Sequence, residues 1–148
     1  MTGQDEIPTA QQAFTASLML TGGHASPAPA RRVAVGLDAV EEAMATGDAS
    51  LMLRTWHAAC LDALGSQQWE PMVAVGDAAR RIGQITGFKI SFTAKARQAY
   101  HVGLYRAHKQ QAAEGVRRIA EAFAAIGDGE AVEQCAAIAE RLRAMEAG

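Results

Sequence analysis

The chain has 148 residues, of which 49% are hydrophobic and 20% charged, and its formal net charge is −2. These values are typical of one folded domain and exclude an intrinsically disordered chain. No segment approaches the roughly 20 apolar residues of a membrane-spanning helix, and residues 1–6 are acidic where a secretory signal needs basic residues. We therefore predict a cytoplasmic protein that has no membrane partner.

The beginning of the chain differs from the rest. Residues 9–20 have apolar positions that fit one short helix, and a segment rich in glycine and proline, residues 22–30, follows them. Its glycines and prolines argue against regular structure. We expect residues 1–30 to form an N-terminal arm with its linker, and residues 31–148 to form a single helical domain.

From residue 31 onward, apolar residues recur at the spacing of amphipathic helices. Glycines and short polar segments interrupt this pattern, and Asp48 follows one such glycine, Gly47, where it is expected to cap the next helix. The alternation of Phe88, Ile90 and Phe92 with polar residues predicts an extended connector that buries these three side chains. The predicted helices span about residues 31–46, 49–65, 69–86, 93–109, 112–126 and 130–145.

Two of the predicted turns share a sequence pattern. Residues 42–48 and residues 121–128 each end a helix in Gly-Asp and precede another helix. Around these turns the chain resembles the tetratricopeptide-like helical repeats. The matching positions in the C-terminal hairpin are Ile119, Ala120, Phe123, Gly127, Asp128, Val132, Ala136 and Ala139. A looser match is formed by Ala39, Val40, Ala43, Gly47, Asp48, Met52, Trp56 and Ala59.

The resemblance covers about half of the chain, and the sequence departs from the family in two respects. The family usually has a smaller residue where Val132 stands, and the chain lacks the family's period of about 34 residues. The resemblance implies stacked helical hairpins with a groove that binds a peptide or a protein. We therefore predict an all-α fold of antiparallel helical hairpins, arranged as a short tetratricopeptide-like solenoid or, alternatively, as a closed helical bundle.

The charge distribution reverses in the middle of the chain. Nine basic residues and a single acid, Glu114, lie between Arg80 and Arg118, whereas acidic residues dominate on both sides. Either this basic segment lies against the acidic ends of its own fold, or it forms a surface for an acidic partner protein. The pI of 6.1 argues against a dedicated nucleic-acid binder. The predicted partner-binding residues are Trp69, Arg80, Arg81, Lys95, Arg97, Tyr105, Arg106 and Lys109.

No arrangement of residues predicts an active site. His101 and His108 share one helix face with a tyrosine, and His57 lies one turn from Cys60, but neither set supplies enough ligands for a metal. Ordinary packing explains both groups better. Cys60 and Cys135 each lie within an apolar helical pattern, so we expect two free thiols in a reducing compartment. We assign no catalytic, metal-binding or cofactor-binding residue.

These observations favour a protein–protein interaction module over an enzyme. Such a module would be an adaptor, a chaperone-like protein or a small accessory subunit, and self-association is left open. Trp69 and Tyr105 would anchor the partner through aromatic contacts. Two alternatives remain. One is a nucleic-acid-binding or regulatory helical protein that uses the same basic segment, and the other is a small helical protein that binds a metal or a cofactor through His57, His101 or His108.

Overall fold

The structure is a computed structural model that describes residues 27–147, and this part of the chain contains six α-helices and no strand. The predicted all-α fold is confirmed. The short helix predicted at residues 9–20 lies outside the described residues. The helices are α1 (Pro27–Thr46), α2 (Ala49–Ser66), α3 (Trp69–Thr86), α4 (Lys89–Lys109), α5 (Ala113–Ala125) and α6 (Gly129–Ala147).

Helix α1 begins earlier than the sequence analysis predicted. The last four residues of the predicted linker, residues 27–30, are helical, and α1 starts at Pro27 and not at Arg31. Pro27 and Pro29 both lie in the first turn, where the backbone N–H groups have no acceptor within the helix. A proline ring therefore removes no helical hydrogen bond at these positions, and its fixed φ suits the start of a helix.

The extended connector predicted before α4 was wrong. Helix α4 begins at Lys89, and the backbone N–H of Phe92 donates to the Phe88 carbonyl over 3.1 Å. Phe92 is buried, but Phe88 is 59% exposed and Ile90 is 90% exposed. Successive helical residues turn by about 100°, so Ile90 points away from the side on which Phe92 is buried. The three apolar residues therefore lie in the first turn of a helix or just before it, and their side chains do not all face the core.

The six helices form three antiparallel hairpins. Hairpin 1 is α1 with α2, hairpin 2 is α3 with α4, and hairpin 3 is α5 with α6. The first helix of each hairpin contacts the first helix of the next, and the second helix of each hairpin also contacts that next first helix. Within residues 27–147, hairpins 1 and 3 share no extensive contact. The hairpins therefore form an open stack, whereas a closed bundle would bring its terminal helices together.

The turns inside the three hairpins use the same backbone conformation. Gly47, Gly87 and Gly127 have φ of +77°, +82° and +75°, which is the left-handed region that glycine adopts without strain. They recur at intervals of 40 residues, longer than the roughly 34 residues of a tetratricopeptide repeat. The three turns therefore fall at a constant interval, and positions equivalent by this interval can be compared directly.

Candidate interaction surface

Ion pairs connect the first helices of successive hairpins. The Arg81 guanidinium on α3 pairs with the Glu41 carboxylate on α1. Arg118 Nη2 on α5 lies 2.7 Å from Asp77 Oδ2 on α3, so a second pair joins hairpins 2 and 3. Both pairs lie on one side of the stack, which we call the first-helix face: the exposed side of α1, α3 and α5. Charged side chains thus bridge this face from one end of the stack to the other.

Asp77 is the centre of a hydrogen-bond network at the first-helix face. Tyr100 donates its hydroxyl proton to Asp77 Oδ1 over 2.6 Å, while Arg118 occupies the other carboxylate oxygen. Arg80 lies 3.9 Å from the same Oδ1 atom. Burial, and then the hydrogen bond to Asp77, raise the pKa of Tyr100 above its ordinary range. The sequence analysis did not single out Asp77, although it is the acid that immediately precedes the basic segment.

Arg97 joins α4 to the beginning of α6. Its Nε donates to Asp128 Oδ2 over 3.1 Å, while Asp128 Oδ1 accepts from the backbone N–H of Ala131 over 3.1 Å. The carboxylate therefore caps α6 and holds Arg97 at the same time. The hydrogen bond from Ala131, followed by the contact with Arg97, holds the pKa of Asp128 below its ordinary value.

Arg106 is bound to the backbone of its own fold. Its guanidinium donates to the carbonyl oxygens of Ala63, Leu64 and Gln68 at 3.0, 2.7 and 3.1 Å. The carbonyls at the C-terminal end of a helix have no partner within the helix, so Arg106 caps α2 in place of water. Burial lowers the pKa of Arg106. The guanidinium is therefore engaged by the backbone of the fold, although the side chain is only partly buried.

Trp69 and Lys95 are also partly engaged by the fold. Trp69 is half-buried and packs on Gly115, where a methyl group would come within 2.7 Å of the indole ring. The Lys95 ammonium lies 5.9 Å from the centroid of the Trp56 ring, which is the range of a cation–π contact. By contrast, Tyr105 and Lys109 are exposed, and neither side chain forms a hydrogen bond or an ion pair with residues 27–147.

The histidines of α2 and α4 are exposed, whereas Cys60 is half-buried and Cys135 is buried. The His101 ring lies 4.7 Å from the Phe123 ring, and the His57 ring lies 5.4 Å from the Trp56 ring. Burial raises the pKa of the Cys135 thiol to about 11, with the Asp128 charge as a smaller cause. In the part of the chain that the structure describes, no group of three or more His, Cys, Asp or Glu side chains is placed to hold a metal ion.

The structure brings the predicted residues together only in part. Arg80 and Arg81 lie on the first-helix face, whereas Lys95, Arg97, Tyr105, Arg106 and Lys109 all belong to α4 in the second row of helices. None of the helices between residues 27 and 147 is long and apolar enough to cross a membrane. The chain matches no protein-family model, no curated protein and no solved structure. Any functional conclusion therefore depends on the geometry of the molecule itself.

Proposed function

We propose that the chain is a protein–protein interaction module, an adaptor or a small accessory subunit, that binds an acidic segment of a partner protein on the first-helix face. The observation that carries this proposal is the row of ion pairs from Glu41 and Arg81 to Asp77 and Arg118. Their side chains are between 31% and 56% exposed, so a partner can reach them. The open stack gives this face the length to receive an extended segment.

Exchange of partners at these arginines requires little free energy. An exposed ion pair contributes only about 0–1 kcal/mol to stability. A carboxylate of the partner can therefore replace Glu41 at Arg81 with a small loss to the fold. Arg117 is also exposed on α5, and among residues 27–147 it is paired only with Glu114 and Glu121 of its own helix. Complementary charges at fixed intervals would set the register of the partner.

The resemblance to tetratricopeptide-like repeats supports the same proposal, because stacked hairpins of that kind present peptide-binding grooves. The interval of 40 residues between equivalent turns is a departure from that family, so the resemblance is used for the architecture and not for individual binding residues. We further propose a cytoplasmic location. It is supported by the two free thiols, Cys60 and Cys135, which fit a reducing compartment.

The test uses the tagged chain to capture binding proteins from its native cells, followed by titration of the purified partner. We compare the wild type with the double variant Arg81→Ala/Arg117→Ala. Arg143→Ala is the matched control, because Arg143 forms an exposed pair with Glu140 on α6, away from the first-helix face. We expect the double variant to bind roughly tenfold more weakly and the control to bind like the wild type. Equal affinity of all three proteins would refute the proposal.

The same preparation distinguishes the alternative of nucleic-acid binding. In the basic segment, the arginines at positions 80, 81, 97, 117 and 118 are paired with carboxylates of the fold. Phosphate would have to displace these carboxylates, as a partner carboxylate would, but its affinity would fall steeply with salt. Nucleic acid that elutes at moderate salt, in place of a stoichiometric protein, would overturn the proposed function.

A further inference from the structure

The turns at Gly47, Gly87 and Gly127 can be compared position by position, and the middle turn differs from the other two. The residue after the left-handed glycine is Asp48 in hairpin 1 and Asp128 in hairpin 3. Each of these carboxylates accepts a backbone N–H three residues later, from Leu51 and Ala131, over 3.1 Å. The equivalent residue of hairpin 2 is Phe88, and α4 has no side-chain cap. The middle hairpin thus lacks a capping bond that both neighbours have.

The middle turn also exposes apolar side chains. Ile85, Phe88 and Ile90 are 52%, 59% and 90% exposed, and we call these three residues the apolar tip. They fall within six consecutive positions at the end of hairpin 2. The equivalent residues are small or polar: Ala45, Asp48 and Ser50 in hairpin 1, and Ala125, Asp128 and Glu130 in hairpin 3. The repeat architecture therefore tolerates small and polar residues at all three positions, and the fold does not require apolar ones.

The charge of Lys89, in the middle turn, is also unfavourable for the stability of the fold. Lys89 is the first residue of α4, and the first turn contains no acidic residue. A base at this end of a helix is destabilising, because the helix dipole places partial positive charge there. Lys89 is exposed, and no carboxylate among residues 27–147 pairs with it. A missing cap, a misplaced base and exposed apolar residues at one turn indicate selection for something other than folding.

We propose that the apolar tip inserts into an apolar pocket of a partner protein, and that a carboxylate at the rim of this pocket pairs with Lys89. The charge of Lys89 identifies the chemistry of that rim. A second copy of the chain fits poorly, because contact of tip with tip around a twofold axis packs protruding side chains against each other and supplies no pocket with an acidic rim. This inference rests on the proposed function, because it takes the partner to be a protein. The residues that it assigns to binding lie outside the first-helix face.

An anionic membrane surface is the competing occupant, and the neighbouring turns disfavour it. The hairpins are antiparallel, so all three of these turns lie at the same end of the stack. Asp48 and Glu130, on the turns beside the apolar tip, are exposed acids. Anionic lipid attracts clusters of bases and would repel these carboxylates. A protein pocket can receive the central tip without covering the acidic turns on either side.

The decisive variant gives hairpin 2 the residues of hairpin 3: Ile85→Ala, Phe88→Asp and Ile90→Glu together. Phe88→Asp supplies the missing cap, and Ile90→Glu places an acid in the first turn of α4, so both changes favour the fold. We expect the midpoint of thermal unfolding to stay the same or to rise, while partner binding weakens roughly tenfold or more. The control is Leu61→Glu, at an exposed apolar residue of α2, and it should bind like the wild type.

The pocket is located with a photoreactive probe. We introduce p-benzoylphenylalanine at position 88 of the full chain in its native cells, and at position 61 for comparison. Irradiation should link position 88, and not position 61, to one protein, at an apolar segment that contains Asp or Glu. That protein is purified and titrated with the wild type, the triple variant and Lys89→Glu. Lys89→Glu should also weaken binding.

Several outcomes would overturn the proposal. The first is a crosslink at position 88 that is no stronger than the one at position 61. The second is a triple variant that binds the partner with the affinity of the wild type. The third is a triple variant that binds weakly because it is unfolded. Sedimentation with phosphatidylglycerol vesicles by the wild type, but not by the triple variant, would assign the tip to lipid. If Arg81→Ala/Arg117→Ala loses the partner while the triple variant keeps it, the proposed function stands and this inference fails. If the triple variant loses the partner while Arg81→Ala/Arg117→Ala keeps it, this inference stands.

Discussion

The ring of Tyr100 lies directly against the backbone of Gly76, so close that a methyl group at Gly76 would come within 2.4 Å of Tyr100 Cε1. This contact lets α3 and α4 approach closely, and it directs the tyrosine hydroxyl to Asp77. Gly36, at the equivalent position of hairpin 1, has only the smaller Ala59 opposite it, at 3.2 Å. The same position is therefore small in both hairpins, and in hairpin 2 it accommodates the largest fully buried side chain of the core.

Gly76→Ala should destabilise the protein even though alanine is the better helix former. The new methyl group would have to displace a fully buried ring, and such overpacking costs about 1–3 kcal/mol. The gain in helix propensity recovers roughly 1 kcal/mol. We expect a net loss of up to about 2 kcal/mol in urea unfolding. Gly65→Ala is the control, because nothing lies within 4 Å of the added methyl group, and this variant should be at least as stable as the wild type.

Arg106→Ala should lower the stability of the protein by about 1–2 kcal/mol, because two carbonyls at the end of α2 and the Gln68 carbonyl just before α3 lose a charged donor. Water replaces the guanidinium in part, which limits the loss. Lys109→Ala, one turn further along α4, removes an exposed base and should change the stability by less than about 0.5 kcal/mol. Denaturant unfolding of the two variants measures the difference. Equal effects would mean that Arg106 does not cap α2.

The positions of the turns were predictable from the sequence, whereas the partners of the charged residues were not. The cap at Asp48 is confirmed, because its carboxylate accepts from Leu51 three residues along the chain. Such local bonds follow from residue type and spacing alone. The pair between Asp77 and Arg118 joins residues 41 positions apart and exists only because the hairpins stack in one register. No periodicity within a single helix encodes that register.

The error at the start of α4 has a related cause. Phe88, Ile90 and Phe92 alternate as a strand would, and a run of five residues is too short to reveal the helical period. An extended connector was predicted because a single strand would have no partner, and the alternation alone does not reveal that Phe88 and Ile90 are exposed. In the other two hairpins an aspartate at this position signals the helix start. Phe88 and Ile90 of the apolar tip thus also gave the pattern that led to the wrong prediction of where α4 begins.

Acid should weaken the fold through Asp128. Its pKa is lower in the folded protein than in the unfolded chain, where an aspartate has a pKa of about 3.9. The stabilisation is therefore complete above this value and is lost as the pH falls through the pKa of the folded state. Asp128→Asn keeps a capping side chain but no longer titrates. Unfolding measured from pH 6 down to pH 3 should show a shallower decline for this variant, and an unchanged slope would contradict the assignment.

Cys135 should react slowly with thiol reagents in the folded protein. The thiolate is the reactive form, and a pKa of about 11 leaves very little of it at pH 8. The background variant is Cys60→Ser, which isolates the signal of Cys135. We expect alkylation by iodoacetamide to be roughly a hundredfold slower than in guanidinium, where the thiol regains its ordinary pKa. Similar rates in both conditions would show that Cys135 is accessible in the native state.

The open stack determines how the molecule comes apart. Within residues 27–147, hairpins 1 and 3 share no extensive contact, so the free energy of the fold is approximately the sum of three hairpin contributions and two junctions. Hairpin 2 belongs to both junctions, whereas α6 is held chiefly by α5. Amide hydrogen exchange should therefore proceed from the ends, fastest in α6 and slowest in α3 and α4. The apolar tip is carried by the segment that stays folded longest, so it remains presented to a partner while the outer hairpins open and close.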